Sequence, residues 1–207
     1  MNKQSGIHYL REHREAGSSN PVPAQVVRIR DTVVAGLGDL LQGAFDAVDD
    51  SLFELANNAR SNNEQNRYFE AMREIRIKRK GVERHFQNAV AQLFADPPQS
   101  GSVAADESLA NQTNSDSLSL VGDDDLEEQV ALNAMITKSK VHFQGPMLQL
   151  QTRFSVVYPG AGDEAPVNPM APEHLCSAFV EAIQALEIQI RERLILLKQF
   201  DRYVVSN

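Results

Sequence analysis

The segment from Glu173 to Val205 reads EHLCSAFVEAIQALEIQIRERLILLKQFDRYVV, and its pattern decides the fold class. Side chains recur every seven residues in two sets, which are Cys176, Ile183, Ile190, Leu197 and Val204, and Phe179, Leu186, Arg193 and Phe200. A repeat of this kind is typical of a long helix that packs along another helix. Only Arg193 interrupts the apolar pattern, and the adjacent Leu194 can take its place. The repeat therefore predicts one long helix over residues 173–207.

This predicted helix has a wider apolar face than a two-stranded coiled coil needs, because Ile188, Ile195 and Leu196 lie beside the repeat. We therefore expect it to be buried in an antiparallel bundle. Its sequence has neither a terminal Gly nor a following Pro, which are the usual signals of a helix end. On that ground we expect the chain to be a fragment of a longer protein.

A helical hairpin is predicted over residues 24–96. Apolar residues follow one another at steps of three and four from Ala24 to Ala59, which predicts a helix. The Asn- and Ser-rich stretch after it indicates a turn, with Asn62 or Asn63 as the cap of a second helix. That helix is expected to pass through Gly81 and to end at Ala95.

Three glycines interrupt the first of these helices, at positions 36, 38 and 43. Each destabilises a helix interior by about 1 kcal/mol relative to Ala, so their presence needs a reason. Close helix packing or a bend is one reason, and a phosphate-binding loop is the alternative. No strand precedes them, so they do not form a dinucleotide-binding fingerprint.

Two segments are expected to lack regular structure. Residues 1–23 are polar and end in Asn20-Pro21-Val22-Pro23, which indicates a loose arm. Residues 97–122 contain no Lys or Arg and few bulky apolar side chains, which predicts a disordered acidic linker.

A helix is predicted to begin after this linker at Asp123-Asp124-Asp125 and to continue towards Val157, with Gly145-Pro146 kinking or dividing it. Residues 123–207 are then a second helical hairpin that packs on residues 24–96. The predicted fold class is all-α, an antiparallel helical bundle of about five helices.

Composition excludes several classes of protein. The formal net charge is −8, and the longest apolar run is only four residues, Leu194 to Leu197, so no membrane span is expected. The first residues lack the apolar core of a signal peptide. Cys176 is the one cysteine, which excludes an intrachain disulfide and a cysteine-based zinc cluster. We therefore expect a cytoplasmic protein.

No catalytic, metal or cofactor site is predicted. The five histidines, which are His8, His13, His85, His142 and His174, lack metal-motif spacing. Carboxylate pairs such as Asp49-Asp50 lie in polar stretches, where capping and solubility explain them better than catalysis. Cys176 lies on the apolar repeat, which favours a buried structural thiol over a nucleophile. These residues indicate that the chain is not an enzyme.

One segment departs from the overall acidity. Arg73 to Arg84 reads REIRIKRKGVER, with the basic residues Arg73, Arg76, Lys78, Arg79, Lys80 and Arg84 against two glutamates. Such a helix face can be solvated, can dock an acidic protein segment, or can contact the phosphates of a nucleotide or nucleic acid. The acidic linker can itself fold back on this face.

Several blocks of the sequence resemble a large proteobacterial family known as domain of unknown function sixteen thirty-one. They are FDAVDDSLFELA at Phe45–Ala56, NEQNRYFEAMR at Asn63–Arg73, Asn168–Pro172 leading into Leu175–Phe179, and LKQFDR at Leu197–Arg202. The resemblance spans roughly residues 26–207 outside the linker. It implies the amino-terminal part of a much longer protein, and Gly145-Pro146 departs from it.

The resemblance implies no catalytic residues. Some members carry the label thymidine phosphorylase, but nothing in this sequence resembles a phosphate and nucleoside site. The sequence thus favours a non-enzymatic regulatory or interaction domain of a bacterial protein. Its expected partner is another protein or its own carboxy-terminal domains, and self-association is a further expectation. The alternative is a regulator that responds to nucleic acid or nucleotide through residues 73–84, although the overall acidity argues against nucleic acid.

Overall fold

The computed structural model describes residues 22–97, 123–158 and 168–207. These residues form six α-helices and one π-helical turn, and none of them lies in a strand. The helices are α1 (Ala24–Asn57), α2 (Asn62–Ala95), α3 (Asp123–His142), α4 (Gln144–Val157), α5 (Pro172–Ile183) and α6 (Ile190–Phe200), followed by the π-helical turn (Asp201–Val205). The predicted all-α fold is confirmed. The predicted loose arm and acidic linker lie outside the described residues, apart from positions 22, 23 and 97.

Helices α1 and α2 form an antiparallel pair. Two contacts show the direction, since Asp49 meets Arg76, and Gly38, earlier in α1, lies against Gln87, later in α2. The cap of α2 is Ser61, whose Oγ accepts a hydrogen bond of 3.2 Å from the backbone N–H of Glu64. The predicted caps Asn62 and Asn63 are wrong by one position, because both already have helical backbone. The predicted passage through Gly81 and end at Ala95 are confirmed.

The glycines of α1 have different surroundings. Gly38 is buried, and a Cβ there would collide with the side-chain amide of Gln87 on α2. Gly43 lies against the ring of Tyr203, so the prediction of close packing holds at both positions. Gly36 faces open space, and no close contact within the described residues requires a glycine there.

The predicted single helix over 173–207 is wrong. Helix α5 ends at Ile183, residues 184–189 leave the helix, and α6 begins at Ile190. Two hydrogen bonds from α2 hold this connection: Lys78 Nζ donates to the carbonyl of Ala185 at 2.8 Å, and Glu74 Oε1 accepts from the backbone N–H of Glu187 at 3.0 Å. The side chains of α2 thus satisfy backbone groups that a break exposes.

The apolar repeat is nevertheless buried on both sides of the break. Leu186, within the connection, is 2% exposed, and Phe179 and Phe200 stack with ring centroids 3.9 Å apart. Phe86 of α2 meets both rings edge-on, at 6.1 and 5.7 Å. These three rings form the centre of the core, where α2, α5 and α6 meet.

Helices α3 and α4 lie on the outside of this core. Phe143 separates them, so the predicted division next to Gly145-Pro146 is confirmed. Glu128 and Lys138 of α3 pair with Arg193 and Asp201, so α3 runs in the same direction as α6. Helix α4 is anchored at its far end, where the Tyr158 hydroxyl donates to the carbonyl of Phe94 at 2.9 Å.

Candidate interaction surface on α2

The basic segment of α2 is largely neutralised by carboxylates of the same chain. Arg76 forms a bidentate pair with Asp49 of α1, with both N–O distances at 2.6 Å. The hydrogen bond to Asp49 raises the pKa of Arg76 above its usual value. The Asp49 carboxylate thus neutralises the charge of Arg76 and occupies its Nε and Nη2 donors.

Arg79 lies deeper and is more completely engaged. Its guanidinium bonds to Glu83 at 2.8 Å, to Asp46 at 2.6 Å and to the carbonyl of Gln42 at 3.0 Å. Burial acts to lower the pKa of Arg79, but these hydrogen bonds outweigh it and the pKa is raised. The group also lies 5.5 Å from the ring centre of Phe45, as a cation over an aromatic face does. Arg79 therefore joins α1 to α2.

Lys78 and Lys80 also have partners on their own chain. Lys78 pairs with Glu74 at 2.6 Å, and this hydrogen bond raises the pKa of Lys78. Lys80 pairs with Glu83 at 2.9 Å, although 76% of its side chain remains exposed. Burial acts to raise the pKa of Glu83, but its bonds to Arg79 and Lys80 lower it overall.

Two of the six basic residues have no carboxylate partner among the described residues. Arg73 and Arg84 are exposed and form no hydrogen bond or ion pair with any described residue. Ile77 lies between them on the same outward face and is 67% exposed. Gly81 lies there too, and a Cβ at Gly81 would meet nothing within 4 Å. The outward face of α2, defined by Arg73, Ile77, Lys80, Gly81 and Arg84, thus combines an apolar centre with cations around it.

The other residues considered from the sequence do not converge on a reactive centre within the described ranges. Cys176 is 1% exposed, and burial raises the pKa of its thiol to about 12, with Asp201 and Glu173 adding to the effect. Burial lowers the pKa of His174. No group of three or more His, Cys, Asp or Glu side chains among these residues is arranged to hold a metal ion. His8 and His13 lie outside them.

A groove of about 450 Å³ lies between α2 and α5 and includes Asp96, His174, Ser177 and Glu181. No hydrogen bond within the described residues joins these side chains to one another. A nucleophile oriented by a base is recognised by such a bond, and the groove supplies no such pair among the described residues.

One surface, on α3 and α4, is not among those predicted from the sequence. Leu126 and Val130 are 55% and 63% exposed. Met135, on the opposite side of α3, is buried in the core. The sequence did contain a signal for this surface, namely apolar residues on both faces of α3. A helix with two apolar faces is expected to be covered on both.

The molecule is an all-α domain in which long helices surround one aromatic core. The chain belongs to the DUF1631 family, since the family profile described as "Protein of unknown function (DUF1631) N-terminal domain" matches residues 21–207. No curated protein and no solved structure matches the chain. No helix among the described residues is long and apolar enough to cross a bilayer.

Proposed function

We propose that this domain is a non-enzymatic protein-interaction domain with a regulatory or scaffolding role, and that it docks an acidic protein segment on the outward face of α2. The observation that carries the proposal is the 67% exposure of Ile77 between two arginines without carboxylate partners. Protein interfaces characteristically have an apolar centre, and arginine is enriched in them.

The spacing of this face supports docking of an elongated partner. Arg73, Ile77, Lys80 and Arg84 follow one another at steps of four, three and four, so their side chains align on one side of the helix. Gly81 lowers the profile of the same face at a cost of about 1 kcal/mol, and no contact within the described residues requires it. A glycine at this position would allow a partner to approach the backbone of α2 closely.

A nucleic-acid ligand is less well supported by these contacts. Electrostatic binding to phosphates scales with the number of cations available to neutralise them. Here Arg76, Lys78 and Arg79 are already paired with Asp49, Glu74 and Glu83, so the free positive charge is small.

Site-specific photo-cross-linking tests the proposal. Ile77 is replaced by a photoreactive phenylalanine in bacterial cells that produce the protein, and Ile29, which is 40% exposed on α1, serves as the matched position. We expect a nuclease-resistant protein adduct from position 77 and none from position 29. Combining Arg73→Glu with Arg84→Glu should remove the adduct, whereas Arg28→Glu with Arg60→Glu changes the charge equally and should preserve it.

Each other result has a definite meaning. An adduct that nuclease digests supports the nucleic-acid alternative. Equal adducts from both positions, or an adduct that survives the Arg73 and Arg84 reversals, contradict docking on this face.

A further inference from the structure

The outer surface of α3 and α4 carries a stripe of apolar side chains that the described residues leave uncovered. The large members are Leu126, Val130, Val141, Leu148 and Val156, whose exposed fractions run from 55% to 80%. Between them lie small or uncharged residues that are also exposed, at positions 134, 137, 145 and 152. We call these nine positions the outer stripe. None of them is charged, which is unusual for an exposed helix face and marks a surface for binding.

The outer stripe continues across the junction of the two helices. Phe143, the junction residue, donates its backbone N–H to the carbonyl of Ser139 at 2.9 Å, and Met147 donates to the carbonyl of Phe143 at 2.9 Å. Hydrogen bonds of helical spacing therefore persist on both sides of the junction. Pro146 falls in the first turn of α4, where the missing N–H is tolerated. The two helices thus present one surface, roughly 50 Å long at 1.5 Å per residue.

We propose that the outer stripe binds the same stripe of a second copy of this chain, with the helices antiparallel and the two-fold axis at Val141. The stripe has the same spacing in both directions from Val141, with members four, seven, eleven and fifteen residues away on each side. A two-fold interface requires a surface that complements itself, and this symmetry of spacing provides it.

The side chains that this register brings together differ in size. Leu126 faces Val156, Val130 faces Thr152, Ala134 faces Leu148, and Thr137 faces Gly145, while Val141 meets its own copy. On either side of Val141 the larger side chain faces a smaller residue, Leu148 opposite Ala134 and Thr137 opposite Gly145, as interlocking helices require. A Cβ at Gly145 would meet nothing within 4 Å in its own chain, so the space above it is free for the other copy.

The charges beside the stripe favour the antiparallel orientation. The exposed carboxylates Asp124, Asp125 and Glu127 all lie at the start of α3, and residues 129–157 contain no acidic side chain. The exposed cation Arg153 lies near the end of α4 and forms no ion pair with a described residue. Antiparallel pairing places this arginine beside the carboxylates of the other copy, whereas parallel pairing opposes like charges.

The size of the interface sets the expected affinity. A seam about 50 Å long and one helix diameter wide buries on the order of 1,000 Å² in total, at the low end for specific complexes. We therefore expect a reversible dimer that dissociates in the micromolar range. The proposal does not depend on the outward face of α2, which lies on a different helix.

Sedimentation of the full 207-residue chain across micromolar concentrations tests the dimer. We expect association that Val141→Asp weakens by about 100-fold, because two carboxylates then meet at the axis. Arg28→Asp, on the exposed side of α1, is the control and should leave association unchanged. Val141 is 74% exposed, so the variant should keep the helical circular dichroism of the original. A chain that stays monomeric, or a dimer that Val141→Asp leaves intact, overturns the proposal.

Cysteine cross-linking tests the register. Val141→Cys should oxidise to a covalent dimer, because only residues near the axis bring their own copies within the roughly 7 Å between Cα atoms that a disulfide allows. Val156→Cys alone should not, yet a mixture of Val156→Cys and Leu126→Cys proteins should cross-link. The native Cys176 is 1% exposed and gives no background. Protection of Val141→Cys from alkylation in a monomer would show that the chain covers its own stripe and would contradict the proposal.

Discussion

Arg67 of α2 and Glu192 of α6 form an ion pair in which the carboxylate is almost completely buried. The distance between Nε and Oε1 is 3.0 Å, and Glu192 is 1% exposed. Arg67 Nη2 and Glu192 Oε2 are both buried, and neither finds a hydrogen-bond partner within the described residues. The pair joins residues 125 positions apart and fixes the start of α6 against α2. It is therefore a long-range ion pair that joins α2 to α6 although two of its buried polar atoms lack hydrogen-bond partners.

Removing one member of this pair should be much worse than removing both. Arg67→Met leaves Glu192 as an uncompensated buried charge, which should cost about 3–5 kcal/mol of unfolding free energy. Arg67→Met combined with Glu192→Leu should recover most of that loss. Urea unfolding followed by circular dichroism measures both. A comparison is Arg30→Met, whose exposed pair with Asp31 should contribute about 0–1 kcal/mol. Equal losses in the single and double variants would contradict this reading of the pair.

The sequence predicted well which segments are helical. It predicted poorly where a helix breaks, because side chains of a distant segment support the break. The repeat in 173–205 correctly indicates most of the buried side chains, since Phe179 and Phe200 are at most 1% exposed, although Ile190 is only half-buried. It cannot show that the helix breaks at Gln184, because the hydrogen bonds from Lys78 and Glu74 that support the break come from a distant segment. The local apolar pattern indicates which face of a helix is buried. Whether the helix continues without a break depends also on contacts with residues far along the chain.

The same limit applies to the basic segment. A count of charges in residues 73–84 suggests six free cations, but Asp46 and Asp49 of α1 and Glu83 of α2 are already bound to them. Only the folded pairing of α1 with α2 shows which arginines remain available. The exposed apolar residues of the outer stripe escaped notice for a related reason, since periodicity alone does not say which of two apolar faces meets the core.

Two positions of the seven-residue repeat should respond differently to the same substitution. The repeat alone predicts equal damage from Leu186→Asp and Ile190→Asp. Leu186 is 2% exposed, whereas Ile190 is only half-buried and does not pack on the core cluster. Leu186→Asp should therefore cost at least about 4 kcal/mol, and Ile190→Asp about 1 kcal/mol. Chemical denaturation gives both values, and a larger loss for Ile190→Asp would contradict the broken-helix arrangement.

Two neighbouring glycines of α1 offer a matched comparison. Gly36 is exposed and a Cβ there meets nothing within 4 Å, so Gly36→Ala should stabilise the protein by about 1 kcal/mol. Gly38→Ala must displace the side-chain amide of Gln87, so any gain in helix propensity should be lost. Thermal unfolding of the two variants measures the difference. A gain at Gly38 equal to that at Gly36 would show that the Gln87 side chain moves aside without cost, and would contradict this prediction.

Alkaline pH should destabilise the fold through two buried acids. Burial raises the pKa of Cys176 from 9.0 to about 12 and that of Tyr158 from 10.0 to about 12. Each pKa is higher in the folded than in the unfolded chain, so the folded state binds more protons between these values. The stabilisation is complete below pH 9 and is lost as pH rises towards 12, because the unfolded state ionises first.

Unfolding free energies between pH 8 and 11 check this, with Cys176→Ala and Tyr158→Phe as the variants. Each should reduce the steepness of the alkaline decline, and the slope for Tyr158→Phe should begin to depart from that of the original protein at a higher pH than the slope for Cys176→Ala does. Tyr158→Phe should also cost about 1 kcal/mol at neutral pH, because it removes the hydrogen bond to the carbonyl of Phe94. A decline of unchanged steepness in both variants would show that other residues are responsible for the loss of stability at alkaline pH.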